Sequence, residues 1–358
     1  MKKQFNLGNN FPFKTILKGT SRSFYLSTWI LPKKIRRTVG LTYLLARAAD
    51  TLCDTSIIQQ DLKKDYLNSM RELIKKPQNG NREKIQQIIK NLNQHKHSQE
   101  VVLIQNLESI LFLFHSLPPS HFDPAKKVLL TLTQGMVEDL NFFSKKNREI
   151  QCLNTKKDTE RYTYLVAGCV GEFWTDLLRE EILPSWPREK MVELGIRFGK
   201  GLQMTNILRD LPKDLSQGRC YLSQEDFQNH SQIIKSLQKR FFSDSNAPIK
   251  ENGNLEKTFL EIYREKINLG REWLKAGLDY VFQTPRKNLR LRLSVLWPLL
   301  IGLDTLNLLE KTSMDQLFNK RVRIKRHQVY QIMASTILFA SNNSLLYWYY
   351  KQKGGNPL

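Results

Sequence analysis

Apolar residues recur with a helical period in nearly every long segment of this chain, and that limits its fold more than any other feature. Val128, Leu129, Leu132, Met136, Val137, Leu140 and Phe143 are one instance. Steps of three and four place all of them on one helical stripe, whereas a half-buried strand needs strict alternation. Strand-and-turn units are scarce, so the sequence predicts an all-α fold. Helices should break at Pro77-Gln78-Asn79-Gly80, Pro118-Pro119, Pro184 to Pro187, Ser243 to Asn254 and Pro285, where Pro, Gly, Asn and Ser collect. A length of 358 residues leaves room for two domains, but no repeat or long linker divides the chain, and it reads as one domain.

Lys and Arg number 56 against 34 Asp and Glu, a formal net charge of +22. Such a balance attracts polyanions: nucleic acid, an anionic lipid surface or a diphosphate. The basic residues are spread along the chain, with local runs at Lys33 to Arg37 and Arg321 to Arg326. Neither zinc-finger spacing nor an RNA-binding aromatic signature accompanies them, so nucleic acid is not an expected partner. Cys53, Cys152, Cys169 and Cys220 lie far apart and form no CxxC pair, which points to neither a zinc site nor a disulfide framework and fits a reducing cytoplasm. The six histidines form no metal pattern, and His95 and His97, among Asn, Gln, Lys and Ser, read as surface. No secretory leader is legible, and no stretch attains the roughly 18 to 20 uncharged apolar residues that span a bilayer. Ile337 to Tyr350 comes nearest; it reads as a final core helix in preference to a segment resting on a membrane surface.

Two acidic segments stand out. In Arg47-Ala48-Ala49-Asp50-Thr51-Leu52-Cys53-Asp54, Asp50 and Asp54 are four apart and share a helical face, with Arg47 beside them. A lone pair of this kind reads as solvated surface acids. The second segment, Asn206-Ile207-Leu208-Arg209-Asp210-Leu211-Pro212-Lys213-Asp214, repeats the spacing, with Asn206, Asp210 and Asp214 on one face and Arg209 adjacent. Two such segments are what a site needs to hold Mg²⁺ against a diphosphate, because the ion prefers carboxylate and phosphate oxygens and arginine matches phosphate geometry. Pro212 removes a backbone donor and predicts a kink or an end to the helix there, which leaves the place of Asp214 open.

These residues resemble the squalene/phytoene synthase family. The resemblance runs from about Ser21 to about Tyr330 in four blocks: Ser21-Arg22-Ser23-Phe24-Tyr25 with Leu31-Pro32; Tyr43 to Asp54; Tyr162 to Gly171; and Gln203 to Asp210, continued by Asp214 and Gly218-Arg219-Cys220-Tyr221-Leu222. One departure is Thr20, where some members carry histidine; another is Pro212. The resemblance implies an isoprenoid-synthase-like helical bundle with a central active-site cavity, in which two prenyl diphosphates join head to head through a cyclopropyl intermediate. It divides the chain into a tail over 1–20, the helical domain over 21–330, and a C-terminal helix and tail over 331–358. Asp50, Asp54, Asn206, Asp210 and Asp214 match the family's Mg²⁺ ligands, Arg47, Arg209 and Arg219 its diphosphate-contacting arginines, and Tyr162 its residue for ionisation and proton transfer. Ser21, Ser23, Tyr43, Gln203 and Tyr221 match positions near the same pocket. The implied cofactors are Mg²⁺ and NADPH, the latter for squalene as product; dehydrosqualene or phytoene would need none. The implied partners are a prenyl diphosphate and a peripheral membrane surface, with the chain a monomer in the cytoplasm. A non-catalytic assembly relative is the alternative of another class, and it would have no reason to keep both acidic pairs with their arginines.

Overall fold

Helix follows helix along the chain, as the periodicity predicts. The computed structural model describes residues 13–21, 28, 30–54, 60–76, 86, 99–143, 149–228, 230–242 and 253–355. Where the sequence reads as one domain, these residues cluster into two compact units: 1–142 with 176–185, and 143–175 with 186–358. The division cuts a continuous helix between Thr175 and Asp176 instead of following a linker, so no shift in composition could announce it. The expected breaks at Pro77 to Gly80 and over most of Ser243 to Asn254 fall outside the described residues, as do His95 and His97.

The first unit holds α1 (Phe13–Ser21), α2 (Lys33–Asp54), α3 (Gln60–Lys75), α4 (Gln99–Gln105), α5 (Leu107–His115) and α6 (Pro119–Phe142). Within the stretch assigned to a tail, α1 is helical and buries Ile16 and Leu17. The expected break at Pro118-Pro119 falls between α5 and α6. Helix α2 packs against α6, α5 and α3. His121 of α6 is buried, its Nδ1 lying 2.6 Å from the Thr38 hydroxyl and its Nε2 2.8 Å from a Glu181 carboxylate oxygen.

The second unit begins with β1 (Gln151–Leu153) and α7 (Lys156–Thr163), which enters a π-helical turn at Tyr164–Gly168 and continues as α8 (Cys169–Glu181), whose residues from Asp176 on belong to the first unit. After the break at Pro184 to Pro187 come α9 (Arg188–Ser216), β2 (Arg219–Ser223), α10 (Ser231–Phe242), α11 (Gly253–Gln283), α12 (Leu289–Glu310), α13 (Met314–Asn319), α14 (Arg326–Phe339) and α15 (Asn343–Gln352). Helix α9 packs on α11, α12 and the π-helical turn. The strands pair in parallel, Gln151 opposite Arg219 and Cys152 opposite Cys220. Two cysteines far apart in sequence are thus brought side by side as buried free thiols; the hydrogen bond to Cys152, together with burial, raises the Cys220 thiol well above its ordinary value.

Among the described residues, the apolar segment that most nearly qualifies as a membrane span is α12, correcting the expectation placed on Ile337 to Tyr350. By length and composition α12 could cross a bilayer, yet 61% of its most apolar window is buried. It is a core helix. Fully buried Arg292 pins it by donating to the carbonyls of Val281, Thr284 and Ala340 at 2.8, 2.7 and 2.6 Å and to Asn343 Oδ1 at 2.5 Å. Those carbonyls lie at the C-terminal ends of α11 and α14, where helix dipoles favour a cation. The Ile337 to Tyr350 stretch divides between α14 and α15, with Leu346 and Tyr350 buried but Leu338 74% and Trp348 54% exposed.

Candidate active site

Helix α2 carries two interleaved stripes. Leu41, Leu44, Leu45, Ala48, Ala49 and Leu52 are buried, while Tyr43, Arg47 and Asp50, spaced by four and three, share a half-exposed side. One row packs and the other stays available. Asp54 closes the helix at the next position of that row; its side chain lies outside the described residues. Arg47 Nη1 donates to Asp50 Oδ2 at 2.5 Å, and Nη2 donates to Glu100 Oε1 on α4 at 3.3 Å. Burial works against the Arg47 charge, but Asp50, Tyr43 and Glu100 more than offset it, and its pKa is raised. Sequence reasoning missed Glu100, which belongs to no motif and reaches Arg47 only through folding. The Tyr43 hydroxyl donates to the Thr20 carbonyl at 3.3 Å, at the end of α1 where Ser21 sits. The side chain of Ser21 and all of Ser23 lie outside the described residues.

In the second unit, α9 repeats the plan. Met204, Ile207, Leu208, Leu211 and Leu215 are buried, while Gln203, Asn206, Asp210 and Asp214 are half-exposed and spaced by three, four and four along one face. Asn206 Nδ2 donates to Gln203 Oε1 at 3.3 Å. Arg209 grips its neighbour Asp210 through Nε at 3.0 Å and Nη2 at 2.5 Å. Of the kink or end expected at Pro212, the end is corrected: the helix runs through Pro212 to Ser216, so Asp214 remains one turn beyond Asp210. The Leu208 carbonyl, which Pro212 cannot serve, accepts a hydrogen bond from the Tyr263 hydroxyl of α11 at 3.0 Å.

Gly218, with φ +77°, then turns the chain into β2, a conformation that favours glycine. On β2, half-exposed Arg219 is followed by buried Tyr221. Thr159 of α7 donates to the Tyr221 carbonyl at 3.0 Å, and one turn further on the Tyr162 ring stacks on Tyr221, centroids 4.4 Å apart and planes 17° from parallel. Phe143 meets the Tyr221 ring edge-on at 5.3 Å. Beyond β2, buried Asp226 accepts from the Ser223 amide and hydroxyl at 3.0 and 2.8 Å and is paired 2.5 Å from buried Lys266 of α11. The strand bearing Arg219 and Tyr221 is therefore tied to both α7 and α11. Glycines bring α8 and α9 together: a Cβ on Gly171 would fall 1.9 Å from the Gly195 carbonyl oxygen. The π-helical turn over Tyr164–Gly168, a feature frequent at functional sites, left no trace in the periodicity.

Among the described residues, no three His, Cys, Asp or Glu side chains form a metal cage. This donor chemistry suits Mg²⁺, which is usually held by one or two carboxylates and completed by substrate phosphate oxygens and water. Soft or imidazole-loving metals find no matching ligand set in either row.

Comparisons with known proteins bear on the family and the fold. The squalene/phytoene synthase family matches residues 17–328. The chain is 30% identical over 230 residues to squalene synthase ERG9 of Saccharomyces cerevisiae, covering 63% of this chain and 48% of that protein's length. It is 25% identical over 260 residues to 4,4'-diapophytoene synthase of Staphylococcus haemolyticus, covering 70% of this chain and 78% of the relative. In fold it is similar to TcSQS in complex with the ligand E5700, with TM-score 0.69, 19% identity and coverage of 95% of this chain and 89% of the other. A dehydrosqualene synthase bound to a ligand is also similar, with TM-score 0.59, 20% identity and coverage of 92% and 95%. This chain spans about half the length of the curated squalene synthases it matches.

Proposed function

Because this chain belongs to the squalene/phytoene synthase family, we propose that it joins two farnesyl diphosphates head to head, through presqualene diphosphate, to squalene. The observation that carries the reading is the pair of matching rows: Arg47 with Asp50 on α2, and Arg209 with Asp210 on α9, each on the half-exposed side of a helix whose other side is apolar. Asp50, Asp54, Asn206, Asp210 and Asp214 would hold Mg²⁺, which when bound supplies positive charge to a departing diphosphate. Arg47, Arg209 and Arg219 bind diphosphate oxygens, a task suited to the planar guanidinium fork. Releasing Arg47 from Asp50 and Glu100, or Arg209 from Asp210, frees donors for that role. The stacked Tyr162 and Tyr221 rings offer a π face to an allylic cation, and the Tyr162 hydroxyl takes part in proton transfer. Apolar helical surface excludes water from the cation.

Squalene requires reduction by NADPH, whereas dehydrosqualene, or phytoene from the longer geranylgeranyl diphosphate, does not. Purified protein is incubated with farnesyl or geranylgeranyl diphosphate and Mg²⁺, with and without NADPH, and the hydrocarbon is identified. Squalene formed only with NADPH supports the reading. Absence of any C30 or C40 product, or unchanged turnover after Asp50→Asn or Asp210→Asn, overturns it.

The same reading puts the chain on an anionic bilayer surface into which the hydrocarbon leaves. Support comes from the C-terminal helices: Tyr330, Ile337 and Leu338 of α14 and Trp348 of α15 are 54–74% exposed. Lys320, Arg321, Arg323, Lys325, Arg326, Lys351 and Lys353 flank them, and no Asp or Glu follows Asp315. Exposed apolar side chains with basic neighbours are the makings of peripheral lipid binding. Pelleting with anionic but not zwitterionic liposomes, lost at high salt and weakened in Leu338→Ser/Trp348→Ser, is expected; equal recovery with both lipids counts against it.

A further inference from the structure

We propose that Tyr263 is a positioning residue for the metal- and diphosphate-binding row on α9, acting through the Leu208 carbonyl. The inference rests on the reading of Asp210 and Asp214 as metal ligands given above, and it starts from a local conflict in the backbone. Pro212 sits inside α9, where its ring crowds the carbonyl four residues earlier and its nitrogen has no proton to offer. That carbonyl belongs to Leu208, which is fully buried, so water cannot take the missing donor's place. An unserved buried carbonyl would bend the helix towards any donor it could find, or end it.

Tyr263 supplies the donor at 3.0 Å from α11. Its side chain is 2% exposed and its ring stacks on Phe259, centroids 6.0 Å apart, so the hydroxyl is held in place and not selected from many rotamers. Burial also pushes the hydroxyl well above the ordinary tyrosine value, which keeps it a donor across the working pH range. The bond therefore fixes the direction in which α9 leaves Pro212.

What lies on either side of Pro212 gives that direction its chemical meaning. Asn206, Arg209 and Asp210 precede it; Asp214, the Gly218 turn, Arg219 and Tyr221 follow. Mg²⁺ demands near-ideal octahedral geometry, so the offset between the Asp210 and Asp214 carboxylates matters to its affinity. Tyr263 touches neither carboxylate; it sets their offset through one backbone carbonyl. The same Tyr–Pro pairing explains how a proline is tolerated between two ligands.

The test uses the full chain and five forms: wild type, Tyr263→Phe, Pro212→Ala, the double variant and Asp210→Asn. Mg²⁺ is titrated calorimetrically in the presence of inorganic pyrophosphate, and the Mg²⁺ dependence of hydrocarbon formation is measured alongside. Tyr263→Phe is expected to raise the half-saturating Mg²⁺ concentration about tenfold, the usual effect of losing a group that orients a ligand. Pro212→Ala returns an amide proton to Leu208, so in that background Tyr263→Phe should shift half-saturation by no more than about twofold. Equal shifts in both backgrounds overturn the proposal, as does wild-type Mg²⁺ binding by Tyr263→Phe while Asp210→Asn is impaired. Unchanged Mg²⁺ binding in Asp210→Asn would instead sink the metal reading itself, and with it this inference. Should Tyr263→Phe fail to fold, a folded double variant supports the pairing, and failure of both assigns Tyr263 to general packing and refutes it.

Discussion

Replacing Gly171 with alanine asks how closely α8 must approach α9 for the site to work. The added Cβ would lie 1.9 Å from the Gly195 carbonyl oxygen, where ordinary contact begins at 3.4 Å. The two backbones must therefore part by about 1.5 Å, the difference between those distances. A rotamer change cannot relieve the clash, because the obstructing atoms are backbone. Overpacking of this kind costs about 1–3 kcal/mol, or ~2–4 °C of melting temperature per kcal/mol in a unit of this size. The functional loss should be larger, since α9 carries Asn206, Arg209 and Asp210 while α7, continuous with α8, carries Tyr162. A misplacement near 1 Å costs turnover on the order of 10²-fold. Gly168→Ala is the matched comparison: the three atoms nearest its Cβ would be in the side chains of Lys200, Tyr164 and Ile196, at 3.2–3.3 Å. There the gain of about 0.5–1 kcal/mol from removing glycine's flexibility offsets a small rearrangement. Circular-dichroism melts and hydrocarbon formation from farnesyl diphosphate are measured for both variants. Wild-type turnover in Gly171→Ala, or equal losses at the two positions, would refute the reasoning.

Other perturbations probe different links. Arg292→Met strands three carbonyls and Asn343, and even after relief of the buried charge it should lower stability by about 3–5 kcal/mol by urea titration; a loss under about 1 kcal/mol contradicts its role as a pin. Tyr162→Phe should reduce turnover by about 10²-fold with a stability change of about 1 kcal/mol or less, and parallel losses of both would make Tyr162 a packing residue. Burial lowers the pKa of His115, whose Nε2 lies 2.8 Å from the Leu73 carbonyl oxygen. Its folded pKa is thus below the unfolded one, so its contribution is present above the ordinary imidazole value of about 6.5 and is lost as pH falls below it. Melting temperature should drop from pH 7 towards pH 5 and do so less steeply in His115→Gln; identical slopes would dismiss His115 as the source.

Much of the architecture was legible in the chain because helix formation and burial are local, periodic properties. The row of Arg47 and Asp50 opposite Leu41, Leu45 and Leu52 follows from residue spacing, as does the row of Asn206, Asp210 and Asp214, while Tyr43 and Gln203 came from the resemblance. The resemblance carried by four blocks located the Tyr162 and Tyr221 positions, whose stacking was not read from the sequence. The outcome departs from the local reading, or was left open by it, where a distant partner enters. Pro212 predicts a kink or an end; α9 runs through it, with the Tyr263 hydroxyl donating to the carbonyl that Pro212 cannot serve. Ile337 to Tyr350 reads as the nearest approach to a span, yet among the described residues α12 is the helix long and apolar enough, with 61% of that window buried and Arg292 fixing it to the ends of two other helices.

The two acid-and-arginine segments were legible in the sequence alone, since carboxylate spacing on a helix depends only on 3.6 residues per turn. Tertiary structure decided what surrounds them: Glu100 beside Arg47, Cys152 beside Cys220, and α9's passage through Pro212. The physical reason is range. Periodicity reports which face a residue occupies, whereas a hydrogen bond between residues 208 and 263 exists only once both helices have packed.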